Sequence, residues 1–345
     1  MSSIVFASTL LLLATPSTFA WGTLGHDTVA LIAQNYLVKD AVTFCQDILN
    51  DTSDTYLASV ATWADSYRYT ADGKFSAPYH FIDANDSPPS SCNVDFNRDC
   101  GEQGCVVSAI SNYTDRVRDP SLSSSEINNA LRFIIHFVGD IHQPLHDEAL
   151  EVGGNDIDVT FGGVDTNLHH IWYALTHAPP SQPTRLINGR DTNMPEKLIG
   201  GSAMSDAQTW STDLISRINN GTYTPHKRSW ISNLNVSDAI TTSMGWARDA
   251  NSHVCSTVLP EGQSAVEGME LDGEYYDSAI AVIEEQIAKA GYRLAGWLNT
   301  IATGDVGLEA DGKVVMREPN SYRKGRVARP WSAARFARMA GGHRC

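Results

Sequence analysis

After its first twenty residues the chain has no apolar run long enough to cross a bilayer, which takes about 20 helical residues. Strand-like alternation is scarce, and neither an internal repeat nor a low-complexity linker is present. These absences argue against a membrane-spanning helix, a mainly β fold and a repeat protein. One domain can accommodate such a chain, since a single core extends to roughly 250–300 residues.

Positive charge is also in short supply. The chain has 25 Lys and Arg against 40 Asp and Glu, a formal net charge of −15. From Gly312 onward, nine basic residues stand against Glu318 alone, a local charge of +8, so residues 1–311 carry −23. An acidic body repels nucleic acid unless something else supplies positive charge, and bound metal ions are one such source. The basic tail, residues 304–345, is predicted to be disordered.

The first twenty residues have the pattern of a secretion signal. An apolar run is followed by helix breakers and by small residues at Thr18 and Ala20, as a cleavage site requires. No Lys or Arg precedes the run, so the terminal amine is the only positive charge there. We predict a soluble, extracellular protein whose mature chain begins at Trp21.

Glycosylation sequons agree with secretion, and five are present. The sequon at Asn85 is weakened because Pro88 directly follows it. Besides Asn50, the remaining sequons are at Asn112, Asn220 and Asn235, and we take these three as the candidate sites.

Six cysteines in an oxidising compartment predict disulfides. Cys92, Cys100 and Cys105 lie in one loop rich in Gly and Asp, and Cys255 is the candidate distant partner. The spacing alone does not determine which cysteines pair, and it assigns no partner to Cys45 or Cys345. The cysteines are also too irregularly spaced for a metal-binding motif.

The periodic segments are helical. Apolar residues recur at three- and four-residue spacing in residues 26–37, 128–142 and 276–301, as in amphipathic helices. The best strand signal, residues 155–163, is short. We therefore predict a mainly α protein. Residues 173–190 interrupt a helical pattern with three prolines and no apolar period.

Histidines and aspartates recur at spacings suited to metal binding. His136 and Asp140 are four apart and share a helix face, and His146 follows a proline-broken turn. A lone histidine on an apolar helix face is more often a core residue with its hydrogen bonds made than a metal ligand. A His–Asp pair can likewise be a hydrogen-bonded pair without any metal. The recurrence of such residues favours zinc, which takes imidazole and carboxylate ligands. Further candidates are Asp65, His80, Asp83, His169 and His170.

Trp21 has two interpretations. A free α-amine, with a pKa near ~7.7–8.0, can coordinate zinc together with the carbonyl of the same residue, but only if processing ends there. His26 would then supply a further ligand. The alternative is a buried aromatic residue at the start of a helix, and the sequence leaves both open.

Six motifs occur in order along the chain: WGTLGHDTVA from Trp21, WADSYRYT, HFIDA, LRFIIHFVGDIHQPLHDE, GGN and NLHHIW. Together they closely resemble the zinc-dependent single-strand nucleases of fungi and plants, of the S1/P1 type, which share a fold with the zinc phospholipases C. The likeness extends to about Ile301, apart from residues 173–190. It implies a single mainly helical domain, residues 21–303, that binds three zinc ions.

The resemblance also implies the role of each site residue. One zinc is held by Asp65, His80, His136 and Asp140. A second is held by His146, His169 and an aspartate four residues beyond that histidine. A third is held by the amine and carbonyl of Trp21, by His26, and by Asp140 as a bridge. Asp65 orients the nucleophile, Arg68 is the cation near the phosphate, and the base pocket comprises Phe81, Asp83, Val152 and Asn155. The implied disulfides are Cys92–Cys255 and Cys100–Cys105.

The implied activity is endonucleolytic hydrolysis of single-stranded DNA and RNA to 5′-phosphate products, with action on 3′-nucleotides, by a monomer. Base edges are available for hydrogen bonding only when they are unpaired, and base stacking tolerates any sequence. Two alternatives remain: a phospholipase C with the same zinc cluster, and a secreted zinc-binding protein without activity.

The second alternative arises because Tyr173 occupies the position where the family has its aspartate. Removing residues 173–190 restores the motif HHIWDTNMPE and brings Asp191 to that position. We interpret the segment as an unspliced intron and Asp191 as the ligand. A genuine surface loop is less favourable because ordering a long segment costs conformational entropy.

Overall fold

The amphipathic segments form helices in the computed structural model, which describes residues 21–174, 203–220 and 222–308. These residues belong to the first of two units, Met1–Val314, and the second unit, Val315–Cys345, lies outside the described residues. So do the predicted signal peptide, Asp191 and residues 175–190 of the predicted insertion.

Twelve helices are described, and the mainly α fold predicted from the sequence is confirmed. The first six are α1 (Thr23–Tyr36), α2 (Lys39–Leu49), α3 (Trp63–Tyr67), α4 (Phe96–Asp99), α5 (Val106–Val117) and α6 (Ser124–Asp140). The others are α7 (Glu151–Gly154), α8 (Leu168–Ala174), α9 (Ala203–Asn220), α10 (Thr224–Trp230), α11 (Ala239–His253) and α12 (Glu274–Thr303).

Helix α1 lies at the centre of the packing, against both α12 and α9. Its buried residues include Val29, Ile32, Ala33 and Tyr36, the positions that the three- and four-residue period predicts. Burial of these side chains removes apolar surface from water and stabilises the fold. Although α12 has 30 residues, no helix in the described part of the chain is both long enough and apolar enough to span a membrane.

Helix α6 is delimited by sequence signals at both ends. At its start, the Ser123 hydroxyl accepts a hydrogen bond from the Glu126 N–H while the Glu126 carboxylate accepts one from the Ser123 N–H. Shortly beyond its last residue, Pro144 begins a 3₁₀ turn that ends at Asp147. A proline cannot continue an α-helix. The break separates two predicted metal ligands on the last turns of α6 from the next one, His146.

A short hairpin leads to α8. Strand β1 (Asp158–Phe161) pairs antiparallel with β2 (Val164–Asn167). The first strand lies within the predicted strand segment, residues 155–163, and the second begins directly after it. The two glycines at its tip have positive φ, and their N–H groups donate to the Glu270 carboxylate.

Two disulfides join parts of this framework. Cys92–Cys255 links the loop before α4 to the segment after α11, and Cys100–Cys105 closes the loop between α4 and α5. This is the pairing that the resemblance implies. Cys45 is a free thiol buried in α2.

Candidate metal centre and base cleft

The Asp140 carboxylate lies at the middle of a cluster of histidines. Its Oδ1 is 3.2 Å from His26 Nε2. Its Oδ2 is 3.0 Å from His80 Nδ1 and 3.2 Å from His136 Nε2. All four side chains are buried, although they come from α1, from the 3₁₀ segment Lys74–His80 and from α6. The two oxygens of one carboxylate therefore face two different sets of imidazole nitrogens.

Asp65 completes the first predicted ligand set. It lies in α3, and its Oδ1 is 3.5 Å from His136 Nε2 and 3.7 Å from His80 Nδ1. The Nδ1 of His136 donates to the Ala61 carbonyl at 2.7 Å, so Nε2 is the ring nitrogen that faces the carboxylates. Within the described residues, His80, His136 and Asp140 form one group of three whose ligand atoms are close enough to share a metal ion, and His26, Asp65 and His136 form another.

The charges of this cluster favour a bound cation. Although burial opposes it, the carboxylates of Asp140 and Asp65 raise the pKa of His136 to about 10. Burial would raise the pKa of both carboxyl groups, but His136 keeps each below its usual value. Two ionised carboxylates in a buried site need a compensating positive charge, which either a proton on His136 or a metal ion supplies. The donor set therefore fits zinc.

Trp21 and His26 lie beside this cluster. The Trp21 side chain is buried, and its indole N–H donates to the Gly139 carbonyl at 2.9 Å. The His26 ring stacks on His136 with centroids 4.0 Å apart. A Cβ at Gly139 would lie 2.7 Å from His26 Nδ1, so the absence of a side chain there lets His26 approach α6. Both interpretations of Trp21 agree with this position.

His146 and His169 form a second pair. Their ring centroids are 5.1 Å apart. His146 donates through Nδ1 to the His80 carbonyl at 2.6 Å, and His169 donates through Nδ1 to the Gly153 carbonyl at 2.7 Å. Burial lowers the pKa of His146 to about 3, so its ring is neutral, and its buried Nε2 has no hydrogen-bond partner among the described residues. An unpartnered imidazole nitrogen of this kind suits a metal ligand. The third predicted ligand, Asp191, lies outside the described residues.

Arg68, the predicted phosphate-binding cation, follows directly after α3. It lies one helical turn beyond Asp65, and its N–H donates to the Ala64 carbonyl at 3.1 Å. Its guanidinium donates to the Tyr69 hydroxyl at 3.1 Å and lies 5.1 Å from the centre of that ring. The short spacing places Arg68 and Asp65 on one face of the same turn.

Two of the four predicted base-pocket residues line a cleft of about 370 Å³, a volume within the usual range of roughly 300–1,000 Å³ for ligand sites. Phe81 and Asp83 are among its lining residues. Val152 and Asn155 are not among the described residues that line it. They lie together in and just after α7, where the Asn155 amide donates to the Val152 carbonyl at 2.7 Å.

The remaining described histidines have other environments. His142 is buried, donates through Nδ1 to the Val138 carbonyl at 2.7 Å, and accepts from Arg293 at 2.9 Å. His170 is bonded to Thr166 at 2.7 Å. His226 is exposed, and the described residues do not include His177 or His343. His253 is the last residue of α11. None of these four described histidines joins a predicted ligand set.

Sequence reasoning did not find the backbone acceptors that orient the histidines. They are the carbonyl groups of Ala61, His80 and Gly153. Every residue carries a carbonyl group, so residue identity gives no signal for such a role. The run of two glycines at 153 and 154 is the one local hint, because both have positive φ.

Comparisons with known proteins agree with this arrangement. A model of the S1/P1 nuclease family matches residues 21–303. Nuclease S1 of Aspergillus oryzae is 54% identical over 286 residues, which cover 83% of this chain and 93% of that protein. Nuclease P1 of Penicillium citrinum is 51% identical over 286 residues, covering 83% and 99%. Endonuclease 3 of Arabidopsis thaliana is 31% identical over 293 residues, covering 81% and 88%.

The matched region contains every predicted site residue among those described. The nuclease activity predicted from the ordered motifs is confirmed, as is the predicted family. With its helical fold and its buried cluster of histidines and aspartates, the chain belongs to the S1/P1 nuclease family.

Proposed function

We propose that the protein is a secreted zinc-dependent endonuclease that cuts single-stranded DNA and RNA to 5′-phosphate products and also acts on 3′-nucleotides. The observation that carries this proposal is a buried cluster in which His80 and His136 lie between the carboxylates of Asp65 and Asp140, beside His26. A structural core has no need for this many buried titratable groups, whereas a metal centre requires them.

Three zinc ions are proposed. The ligands of the first are Asp65, His80, His136 and Asp140, and those of the second are His146, His169 and Asp191. The third is held by the Trp21 amine and carbonyl, by His26 and by Asp140. Bound zinc would act as a Lewis acid and make water a stronger nucleophile at neutral pH.

The chain's own residues position the reacting groups. Asp65 lies next to two of the proposed ligands and carries a negative charge, so it can accept a hydrogen bond from the attacking water and orient it. Arg68, one turn later, can pair with the phosphate oxygens. Such pre-positioned charges stabilise negative charge as it develops on the phosphate and on the departing 3′ oxygen.

The preference for single strands follows from the base cleft. Phe81 can stack on a base, which is worth roughly 1–3 kcal/mol per base, while Asp83 accepts hydrogen bonds from the base edge. Val152 and Asn155 are proposed to contact the base from α7. A duplex already uses the edges of its bases, so the cleft would select unpaired nucleotides.

The remaining proposals concern the mature chain. It begins at Trp21, contains one nuclease domain at residues 21–303, and acts as a monomer. The three candidate glycosylation sites, Asn112, Asn220 and Asn235, are exposed, which agrees with a secreted glycoprotein.

The test uses the purified secreted protein. Zinc content is measured beside turnover of a single-stranded oligonucleotide, the same oligonucleotide annealed to its complement, and phosphatidylcholine. We expect three zinc ions per molecule, cleavage of the single strand only, loss of activity with a chelator and its return with zinc. Hydrolysis of phosphatidylcholine alone would indicate a phospholipase C, and bound zinc without any turnover would indicate an inactive zinc-binding protein.

A further inference from the structure

The short loop Gly101–Gly104 between α4 and α5 lines the same cleft as Phe81 and Asp83. Glu102 and Gln103, the two residues at the centre of this loop, both line the cleft and are exposed to solvent. Neither residue belongs to the proposed metal centre or to the predicted base pocket. A carboxylate and an amide beside a base-stacking ring bear directly on which bases the cleft accepts.

The loop is held at both ends by the segment that carries the base-binding residues. The Val106 N–H donates to the Phe81 carbonyl at 2.9 Å. At the other end, the Asp99 carboxylate accepts from the Asn85 N–H at 3.2 Å. The Cys100–Cys105 disulfide closes the loop between these two anchors. The loop therefore has a fixed position relative to Phe81 and to Asp83, two residues before Asn85.

The polar groups in the cleft differ in their availability. The Asp99 carboxylate also accepts from the Asp95 N–H at 2.8 Å and pairs with Arg98, so its oxygens are engaged. Within the part of the chain that the structure describes, no donor is bonded to the carboxylate of Asp83 or Glu102. Both carboxylates line the cleft and can accept hydrogen bonds from a bound base, whereas the Gln103 amide beside them can both donate and accept.

Carboxylates only accept hydrogen bonds, so they distinguish bases by the donors on the base edge. Adenine and cytosine present an amino group, whereas thymine presents a carbonyl oxygen at the corresponding position. A carboxylate opposite a carbonyl oxygen is repelled, because neither group can donate, so the only donor that thymine and uracil offer on this edge is the ring N3–H. Stacking on Phe81 does not discriminate in this way, because every base has an aromatic face.

We propose that the loop Gly101–Gly104 determines base preference, with Glu102 acting beside Asp83 to favour bases that carry an amino group over thymine and uracil. This inference rests on the proposed function, since it assumes that the cleft receives a nucleobase. The gain or loss of one hydrogen bond corresponds to about a three- to tenfold change in a rate or binding constant.

The test compares wild type, Glu102→Gln and Glu261→Gln on single-stranded oligonucleotides of dA, dC and dT of equal length. Glu261 is an exposed acid that does not line the cleft, so its variant controls for the change in net charge. We expect wild type and Glu261→Gln to cleave dA and dC about three- to tenfold better than dT in kcat/KM. Glu102→Gln should bring the three values closer together, because an amide can donate as well as accept, while Asp83 is unchanged.

Calorimetric binding of dAMP and dTMP to the same proteins measures the preference without hydrolysis. Tighter binding of dAMP than of dTMP, reduced in Glu102→Gln, supports the inference even if no oligonucleotide is cut. In that case only the proposed function fails. The inference is overturned if wild type cleaves dA and dT with equal kcat/KM, or if the ratio of these values is the same in Glu102→Gln as in wild type. In either case, cleavage of the oligonucleotides still supports the proposed function. Zinc content and melting temperature are measured for each variant to exclude a folding defect.

Discussion

The Oδ1 of Asp140 lies 3.2 Å from the Nε2 of His26. This contact connects the last turn of α6 to the first turn of α1. The other oxygen of the same carboxylate faces His80 and His136. A carboxylate whose two oxygens face different imidazole sets would be able to serve as a ligand in both of the proposed sites. The proposed first and third zinc sites therefore share one residue, and disturbing either should affect the other.

Replacement of Asp65 by asparagine tests its role in orienting the nucleophile. The amide has nearly the same volume but no negative charge, so we expect the helical circular dichroism to persist while hydrolysis falls by on the order of 10²–10⁴-fold. Asp72→Asn, at an exposed acid in the loop after α3, should retain full activity. An Asp65→Asn enzyme within about tenfold of wild type would contradict this assignment.

Extension of the mature chain by one alanine before Trp21 tests the proposed ligand role of the N-terminus. The extra residue converts the amine to an amide, which can no longer bind zinc through a nitrogen lone pair. We expect the extended protein to lose the third zinc, as measured by elemental analysis, together with most of its activity. The correctly processed protein from the same host is the control. Full metal content and turnover in the extended form would rule the proposal out.

Alanine at Gly153 and at Gly154 provides a matched pair. Both glycines have positive φ, so each substitution costs roughly 1–2 kcal/mol of backbone strain. A Cβ at Gly153 would lie 2.6 Å from the Leu145 carbonyl, whereas at Gly154 the nearest atoms are the Leu145 methyl groups at 3.4 Å. The carbonyl of Gly153 orients His169, so we expect Gly153→Ala alone to weaken zinc binding there, by about 10–100-fold.

A chelator-competition titration measures the zinc affinity of both variants, and the melting temperature reports the strain that they share. Equal zinc affinity in the two variants would mean that the Gly153 carbonyl does not position His169.

Peptide mapping of the secreted protein tests whether residues 173–190 are present in the mature chain. If the segment is an unspliced intron, the active enzyme yields a peptide containing HHIWDTNMPEK, in which Asp191 follows Trp172 directly. Recovery of the peptide LINGR from an active enzyme would instead establish the segment as part of the mature chain. Zinc analysis of that same preparation would then show whether the second site still binds metal.

The sequence by itself determined the helices and several of the proposed ligands. The three- and four-residue period predicted α1, α6 and α12, and the i, i+4 spacing placed His136 and Asp140 on one face of α6. Pro144 ended the helical pattern before His146. These features are local, because helix period, capping and proline geometry depend on residues within a few positions of one another. The resemblance to a known family added the grouping of the ligands.

Only the tertiary structure decided which side chains and backbone groups meet. His26 and His80 reach Asp140, and Asp65 reaches His136, through the packing of separate elements, and no period within one segment encodes such contacts. The tautomers of the histidines depend on backbone carbonyls, which every residue has. The loop Gly101–Gly104 lies along the cleft because a disulfide and two hydrogen bonds hold it against residues 81–85. These relationships arise from long-range packing, since the free energy of burying apolar surface determines which distant segments come together.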